Sequence, residues 1–327
     1  MNIKEIFQKQ GGWSLIKDWL RAGILPYAIS QVFLLGRSIK SLEILRLGVT
    51  LKKYRSLQHK YSHVLQNFDT SLTQDAVSTY EGRISRKVWI CWMQGIENAP
   101  ILVQKCYQSI LKNLHDREVV LITADNISDY TDLPPYIIDK YRKGIISHTH
   151  FSDLLRVELL CRYGGTWIDS TVFCSGDNIP SYMLDSDFFL FQNLKPGSDG
   201  STINISSWFI TATANHKFML AIRELLWKYW KQNDKLVDYF LLHHFIMMVA
   251  EYYQDEWKKI IPYPNSLPHV LLLRLFEQYN EETWMELKRI CPFHKLAYKR
   301  SKEDFEKDGT YYKYLLKTYK TNSKNCL

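Results

Sequence analysis

The sequence predicts an α/β fold with a mostly parallel central sheet and with added N-terminal and C-terminal helices. Short apolar runs alternate with helical segments between residues 85 and 145, which is the order of parallel strands joined by crossover helices. Residues 1–80 and the stretch after residue 217 have helical spacing of apolar residues instead. The chain has 327 residues and is 46% hydrophobic, which is enough for one sizeable core with additions at its ends.

The first predicted element of the sheet is an apolar strand at 88–92. A helix at 100–114 follows, with proline in its first turn, where a missing N–H costs no helical hydrogen bond. A second strand is expected at 119–122, and a helix at 135–143 that Gly144 ends. Further strands are expected at 188–191 and 207–211, and further helices at 218–231, 239–251, 267–279 and 282–288.

Residues 151–171, where a predicted helix leads into a predicted strand, carry more information about function than the rest of the chain. Ser152 is a candidate N-cap, and Asp153 and Arg156 then lie three residues apart on one face of the helix. The glycine pair at 164–165 is expected to end this helix, and a short apolar strand follows it. Asp169 therefore comes directly after the end of a strand.

The position of Asp169 suits a ligand site. In open α/β sheets, ligands collect outside the carboxyl ends of strands, so Asp169 is placed to meet a cation or a ribose. Taken singly, the residues have plainer explanations: Asp153 and Arg156 form a surface ion pair, and Asp169 starts a turn. Their joint spacing favours a site for a nucleotide diphosphate and its metal.

This segment resembles the signature of the capsular polysaccharide synthesis glycosyltransferases, in Ser152-Asp-Leu-Leu-Arg156 and in Tyr163-Gly-Gly-Thr-Trp-Ile-Asp169-Ser-Thr171. These proteins are related to sugar transferases that carry an aspartate-any-aspartate motif. The resemblance covers residues 85–275 and implies a GT-A-like nucleotide-sugar transferase fold for residues 81–327. It also implies retaining transfer of a hexose from UDP-galactose or UDP-glucose to a lipid-linked saccharide acceptor in capsule, exopolysaccharide or O-antigen synthesis.

The resemblance further implies roles for individual residues. Asp169 would bind Mn²⁺ or Mg²⁺, Arg156 would contact the diphosphate or the donor sugar, and Asp153 would bind hydroxyls of that sugar. Where the motif expects a second acid the chain has Thr171, so the metal would need other oxygen ligands. The other cofactor-binding candidates are Trp92, expected to stack on uracil, Gln94, Gly95, Asn126, Gly165, Thr171 and His244.

Several of these candidates have equally plain structural explanations. Trp92 on a buried strand also fits the core, and Asn126 also fits a helix cap. Either His243 or His244 would reach the metal or diphosphate, and His244 is preferred. A histidine on an apolar helix is, however, more often a hydrogen-bonded core residue.

The positive charge of the chain is confined to its N-terminal region. Residues 1–60 contain 11 Lys and Arg against 3 Asp and Glu, while the remainder of the chain contains 31 of each kind. Residues 24–49 form a basic amphipathic pattern without an uncharged stretch long enough to cross a membrane. The helical region at 1–80 therefore either lies on an anionic membrane surface or packs its apolar side against the main core.

Other functions fit the sequence less well. A nucleic-acid partner is not expected, because the charge lies on one flank and no known nucleic-acid-binding motif is present. The six cysteines have no metal-binding spacing, so we expect a cytoplasmic protein, peripheral on the inner face of the plasma membrane if the helix binds lipid. Two alternatives stay open: a non-catalytic assembly subunit with a degenerate nucleotide-sugar site, and a sugar-phosphate transferase.

Overall fold

The structure is a computed structural model that describes residues 16, 19–20, 23–36, 38–74, 85–176, 178–197 and 200–318. A five-stranded sheet forms its centre, in the spatial order β2-β1-β3-β6-β5. Two short strands, β4 and β7, form a separate antiparallel pair. The strands are β1 (Lys87–Cys91), β2 (Glu118–Ile122), β3 (Gly165–Ile168), β4 (Val172–Cys174), β5 (Phe188–Gln192), β6 (Ile205–Ala212) and β7 (Phe293–Lys295).

Strands β1, β2 and β3 run parallel, and within the described sheet only β6 runs against the other four strands. This arrangement confirms the expected α/β fold with a mostly parallel sheet. Side chains alternate between the faces, so that Trp89 and Trp167 face one side, and Val88 and Ile168 face the other. Because the parallel strands point the same way, the segments that follow β1, β2 and β3 leave from one edge, which we call the carboxyl edge.

Helices cover both faces of the sheet. On the face of the two tryptophans lie α6 (His148–Tyr163), α8 (Lys217–Gln232) and α9 (Leu241–Tyr252), and on the other face lies α3 (Ile101–Asn113). The remaining helices are α1 (Leu25–Leu35), α2 (Ile39–Gln74), α4 (Ile127–Tyr130), α5 (Pro135–Arg142), α7 (Ser181–Asp185), α10 (Gln254–Trp257), α11 (Val270–Arg274), α12 (Glu281–Ile290), α13 (Lys302–Glu306) and α14 (Tyr311–Thr318).

Two helices after residue 85 differ from the prediction by more than two residues. Helix α6 begins at His148 because Ser147 is its N-cap, and the Ser147 hydroxyl accepts the backbone N–H of His150 at 3.3 Å. The predicted cap, Ser152, lies inside the helix. The helix predicted at 267–279 is a 3₁₀ turn followed by the short α11, and strand β7 was not predicted.

The described part of the N-terminal region, residues 23–36 and 38–74, is mostly helical, but the helix predicted at 24–49 is divided into two. Helix α1 ends at Gly36, whose φ of 76° stops the helical hydrogen-bond pattern. Helix α2 continues to Gln74, so most of the polar stretch at 69–75 is helical instead of a linker. The expected domain boundary near residue 80 lies outside the described residues.

Helix α2 packs against α8 and α9 through one side of its middle part. Tyr54, Leu57 and Tyr61 are each no more than 4% exposed and belong to the main hydrophobic core. A smaller cluster that includes Ile24 and Val49 joins α1 to α2. Of the two interpretations of the N-terminal helices, packing against the main core is therefore the one observed for residues 54–61 of α2.

Gly165 allows β3 to approach β1 closely. Its φ is 94°, and a Cβ at this position would lie 2.3 Å from the carbonyl oxygen of Lys87. Gly165→Ala should lower the free energy of unfolding by about 2–4 kcal/mol, because it combines backbone strain with a backbone clash. Urea denaturation measures this change.

The control is Gly176→Ala, since a Cβ on Gly176 meets no atom within 4 Å. That substitution should change the free energy of unfolding by less than about 0.5 kcal/mol. Equal stability of the two variants would contradict the close-approach role of Gly165.

Candidate functional site

The predicted site lies at the carboxyl edge of the main sheet. Asp169 directly follows β3, and its backbone N–H donates to the carbonyl of Trp208 in β6 at 2.8 Å. The loops after β1 and β2 are joined by a hydrogen bond of 3.0 Å from the Ala124 N–H to the carbonyl of Met93. The sheet thus gathers segments that are far apart in the chain.

Asp169 is the centre of the site. Its Oδ1 accepts the indole N–H of Trp167 at 2.9 Å and lies 3.4 Å from Nη2 of Arg156, while Oδ2 accepts from the ammonium of Lys295 at 2.6 Å. Burial by itself raises the pKa of Asp169, but Lys295 and Arg156 together hold that pKa below its ordinary value. The carboxylate is therefore ionised at neutral pH, with both oxygens engaged.

The guanidinium of Arg156 is fixed on several sides. Nη1 donates to the backbone carbonyl of Ser207 in β6 and, at 2.8 Å, to the Ser207 hydroxyl. Nη2 lies 3.1 Å from Oδ1 of Asp153, and the guanidinium carbon lies 5.0 Å from the ring centre of Trp167. Nε is buried and has no hydrogen-bond partner among the described residues. Arg156 is thus held beside Asp169 with one N–H left over.

Asp153 holds Arg156 from the same helix, α6. Oδ2 of Asp153 lies 3.2 Å from Nδ1 of His150, and the indole N–H of Trp230 donates to Nε2 of that histidine at 2.9 Å. Because an indole nitrogen only donates, the ring hydrogen of His150 lies on Nδ1 and points at Asp153. Asp153 is buried with both oxygens engaged, so it is placed to position the arginine. Its predicted contact with a donor sugar stays a prediction.

Lys295 is a site residue that the sequence reasoning missed. Strand β7 pairs with β4 so that Lys295 lies opposite Val172, and this pairing carries the ammonium to the end of β3. The ammonium donates to Oδ2 of Asp169 at 2.6 Å and to Oγ1 of Thr171 at 2.8 Å. Lys295 and Asp169 are 126 positions apart in the chain, and no short motif connects such positions.

The residues after β1 also lie at the carboxyl edge, but the ring contact of Trp92 there is with an aromatic side chain instead of a charged group around Asp169. The ring of Trp92 meets that of Tyr298 edge to face, with centroids 5.9 Å apart. The indole N–H of Trp92 is buried without a hydrogen-bond partner in the described part of the chain. Gln94 is exposed, and Gly95 has a φ of 80° that turns the chain after β1. Their predicted contacts with a nucleoside stay predictions.

Asn126 shapes the loop after β2. Its Oδ1 accepts the N–H of Thr123 and its Nδ2 donates to the carbonyl of Leu121, both at 2.9 Å. Asn126 is the N-cap residue of α4, as the helix-cap explanation expects, but its side chain makes no capping hydrogen bond to that helix. Asn126 fixes a loop that borders the site, and a nucleoside contact is a prediction that these bonds leave untested.

Gly165 does not lie at the carboxyl edge. It is the first residue of β3, whereas Asp169 follows the last, so the two lie at opposite ends of the strand. The prediction of Gly165 as a cofactor-binding residue is corrected: this position needs glycine for its close approach to Lys87.

The two adjacent histidines of α9 point in different directions, since successive residues of a helix are rotated by about 100°. His244 is fully buried, with its ring 5.8 Å from that of Tyr54 and its Nε2 3.9 Å from Oδ2 of Asp238. That distance is too long for a hydrogen bond. The preference for His244 is therefore corrected, because its side chain faces α2.

His243 is the histidine of the pair on which the charges of the site act. Burial lowers the pKa of His243 to about 4, and the charges of Asp153, Arg156 and Asp169 also act on it. Its Nδ1 is buried and lacks a hydrogen-bond partner within the described ranges. His243 is therefore neutral at pH 7 and within electrostatic range of the charged cluster.

The residues around Asp169 do not form a ligand set for a divalent cation. Both oxygens of Asp169 accept hydrogen bonds, and Oγ1 of Thr171 is bonded to Lys295. Across the described residues, no group of three or more His, Cys, Asp or Glu side chains is arranged to hold a metal ion. Since Mg²⁺ and Mn²⁺ take several oxygen ligands, the expected ion does not fit these donors as they are arranged. Its binding stays an untested prediction.

The cluster of Asp153, Arg156, Asp169 and Lys295 is able to bind an anion with several oxygens. A guanidinium and an ammonium are held in place by two carboxylates, so neither cation needs to reorganise when a ligand arrives. A diphosphate beside Asp169 would meet the point charge of Lys295 and the fixed positive charge of Arg156, whose Nη groups are already engaged by Ser207, Asp153 and Asp169.

A family model described as capsular polysaccharide synthesis protein matches residues 46–315. The chain belongs to this family. The matched span contains every residue of the cluster, and the family resemblance found in the sequence is confirmed. O-glycosyltransferase braB of Annulohypoxylon truncatum is 32% identical over 97 residues, which are 27% of this chain and 23% of that protein. The chain thus spans less than a quarter of this relative.

PaToxG Glycosyltransferase matches with 13% sequence identity and a TM-score of 0.37, over 84% of this chain and 98% of that chain.

Three histidines with lowered pKa, the buried His294 and the half-buried His216 and His243, predict a pH dependence of stability. Burial lowers the pKa of His216 and His243 to about 4 and that of His294 to about 3, while unfolded histidine titrates near about 6.5. Between these values the unfolded chain binds more protons than the folded chain. The free energy of unfolding should therefore fall as the pH is lowered from about 6.5 to about 4, by up to about 1.4 kcal/mol per pH unit for each histidine.

Urea denaturation at several pH values measures this slope. His243→Gln should reduce the slope, whereas the same change at the exposed His115 should leave it unchanged. An identical slope in wild type and His243→Gln would contradict the assignment of His243 as a histidine that stays neutral in the folded chain at pH 7.

Proposed function

We propose that the chain is a hexosyltransferase that uses a UDP-hexose donor, with galactose or glucose as the sugar. The acceptor is a lipid-linked saccharide of capsule, exopolysaccharide or O-antigen synthesis. The observation that carries the proposal is the meeting of Arg156, Asp169 and Lys295 at the carboxyl edge. Membership of the capsular polysaccharide synthesis family and the partial identity to an O-glycosyltransferase support the same reaction class.

The chemistry of transfer requires fixed positive charge. When the bond between the anomeric carbon and the diphosphate oxygen breaks, negative charge grows on the departing UDP. Arg156 and Lys295 are held within hydrogen-bonding reach of one carboxylate, so a diphosphate bound beside Asp169 would meet both cations. Asp153 acts as a positioning residue, because it holds Arg156 without needing to touch the donor. We also propose that the catalytic part has a GT-A-like fold and that transfer retains the configuration at the anomeric carbon.

The nucleoside would occupy the loops after β1 and β2. Trp92 offers a ring beside Tyr298 and an indole N–H that no described residue accepts, and Gln94 is an exposed polar side chain on the same loop. Asn126 keeps the second loop in its shape. An aromatic ring with adjacent polar groups suits recognition of a uracil base.

A non-catalytic assembly subunit is the second candidate function. The observation in its favour is that Asp169 has only Thr171, and no second acid, as its partner in the motif. Such a subunit would bind a nucleotide sugar without converting it. Turnover of the donor separates the two functions.

Asp169→Asn should abolish the reaction while leaving the fold intact. The neutral amide loses the charge that holds Arg156 and Lys295, so release of UDP from UDP-galactose or UDP-glucose should fall by about 100-fold or more. The assay measures free UDP with a panel of nucleotide sugars, and circular dichroism checks the fold.

The matched control is Asp185→Asn. Asp185 also pairs with an arginine, Arg117, at 2.8 Å, but it lies near the start of β2 at the other edge of the sheet. Its substitution should leave turnover unchanged. Near wild-type turnover in Asp169→Asn would contradict the role of Asp169, and absence of turnover with every donor in wild type would favour the assembly subunit.

An anionic membrane surface on the cytoplasmic side is the proposed partner of α1 and the start of α2. The side chains of Phe33 and Leu34 are 88% and 72% exposed, and Ile29, Ile39 and Ile44 are also exposed. Residues 1–60 carry the whole net charge of +8. Apolar side chains among basic residues are typical of a helix that lies in a lipid interface, close to a lipid-linked acceptor. No described helix meets the length and apolarity required to span a bilayer.

The double substitution Phe33→Ser with Leu34→Ser should reduce sedimentation with vesicles of phosphatidylcholine and phosphatidylglycerol by about tenfold or more. Leu273→Ser is the control, because Leu273 is 78% exposed on α11, outside this surface. Deletion of residues 1–60 is a poor test, since it removes the buried Tyr54 and Leu57. Equal sedimentation of wild type and the double variant would contradict membrane binding by this surface.

A further inference from the structure

We infer that the ammonium of Lys295 takes the place of the divalent cation that an aspartate-any-aspartate motif implies, and that it contacts the donor diphosphate directly. The inference rests on the proposed function, because it concerns the same donor site. It makes the transfer reaction independent of a metal ion and names Lys295 as a catalytic residue.

The first argument is the position of the ammonium. Nζ of Lys295 is bonded to both side chains of the motif, Asp169 at 2.6 Å and Thr171 at 2.8 Å. Strand pairing fixes this position, since β7 runs antiparallel to β4 and the N–H of Leu296 donates to the carbonyl of Thr171 at 2.9 Å. The positive charge therefore lies between the two positions from which a metal would be held.

The second argument is a charge count. Two aspartates with a divalent cation have no net charge, and Asp169 with Lys295 has no net charge either. Thr171 removes one negative charge from the motif, and an ammonium in place of a divalent ion removes one positive charge. A divalent ion bound beside Asp169 and Thr171 would also be repelled by the ammonium a few ångströms away. With threonine in place of the second acid, the single negative charge of the motif is thus balanced by a monovalent cation.

The third argument is the hydrogen-bonding capacity that remains. An ammonium has three N–H donors, and two of them are used by Asp169 and Thr171. The side chains of Lys295 and Asp169 are 19% and 26% exposed, so the cluster is open to solvent on one side. Because no other described residue accepts from this ammonium, its third N–H is available to an oxygen of a diphosphate.

The reaction balances without a metal. The bond between the anomeric carbon and the β-phosphate oxygen breaks, and its electron pair leaves with UDP. The acceptor hydroxyl oxygen forms the new bond to the anomeric carbon, and its proton passes to the departing phosphate oxygen. Lys295 stays protonated throughout and donates a charge-assisted hydrogen bond to the leaving diphosphate, which strengthens as charge develops there.

The direct test measures binding of UDP by calorimetry, and release of UDP from the donor, in EDTA and in Mn²⁺. Wild type should bind UDP in EDTA with an affinity within about twofold of that in Mn²⁺. Lys295→Ala should weaken binding by about tenfold or more, because a charged hydrogen bond is lost, and Lys295→Arg should retain most of it. Lys302→Ala is the control, since Lys302 is exposed on α13.

A second variant tests the exchange of cations. Lys295→Ala combined with Thr171→Asp restores the two-acid motif and removes the ammonium, so UDP binding should become dependent on Mn²⁺ and be abolished by EDTA. Circular dichroism confirms that each variant is folded. A purely structural role of Lys295 would not change the response to metal.

The outcomes separate the inference from the proposed function. UDP binding by wild type that requires Mn²⁺, or full affinity in Lys295→Ala, would overturn the inference and leave the transferase proposal standing. Absence of UDP binding by wild type both in EDTA and in Mn²⁺ would overturn the proposed function itself.

Discussion

The carboxylate of Asp169 between Arg156 and Lys295 is the interaction on which the rest of the site depends. Burial opposes a charge at this position, and the two cations more than compensate, as the lowered pKa of Asp169 indicates. Each cation has a further support, Asp153 for the arginine and Thr171 for the lysine. Loss of any one of these charges would leave another without its partner inside the protein.

The fold brings these charges together in two ways. Parallel strands deliver Asp169 and the loops after β1 and β2 to one edge, and α6 lies across the same sheet with Arg156 pointing at Ser207 of β6. The antiparallel pairing of β4 with β7 then carries Lys295 to that edge from near the C-terminus. Rigid elements, and not flexible loops, therefore position both cations, which is what stabilisation of a developing charge requires.

Local patterns in the sequence were sufficient to predict a mostly parallel sheet. They also predicted that Asp153 and Arg156 share one helix face and that Asp169 follows the end of a strand. Lys295 could not be found in this way, because its partner is 126 positions away and only strand pairing connects them. The choice between His243 and His244 depends on the rotation of α9 relative to the sheet, which periodicity does not fix. The start of α6 was misplaced since Ser147 and Ser152 are both good caps.

The most direct test of the central claim is a crystal structure with UDP bound in the presence of Mn²⁺. The account predicts that diphosphate oxygens lie within hydrogen-bonding distance of Nζ of Lys295 and beside Arg156, with Lys295 still bonded to Asp169. A manganese ion bridging Asp169 and the diphosphate, with Lys295 displaced from both, would contradict it.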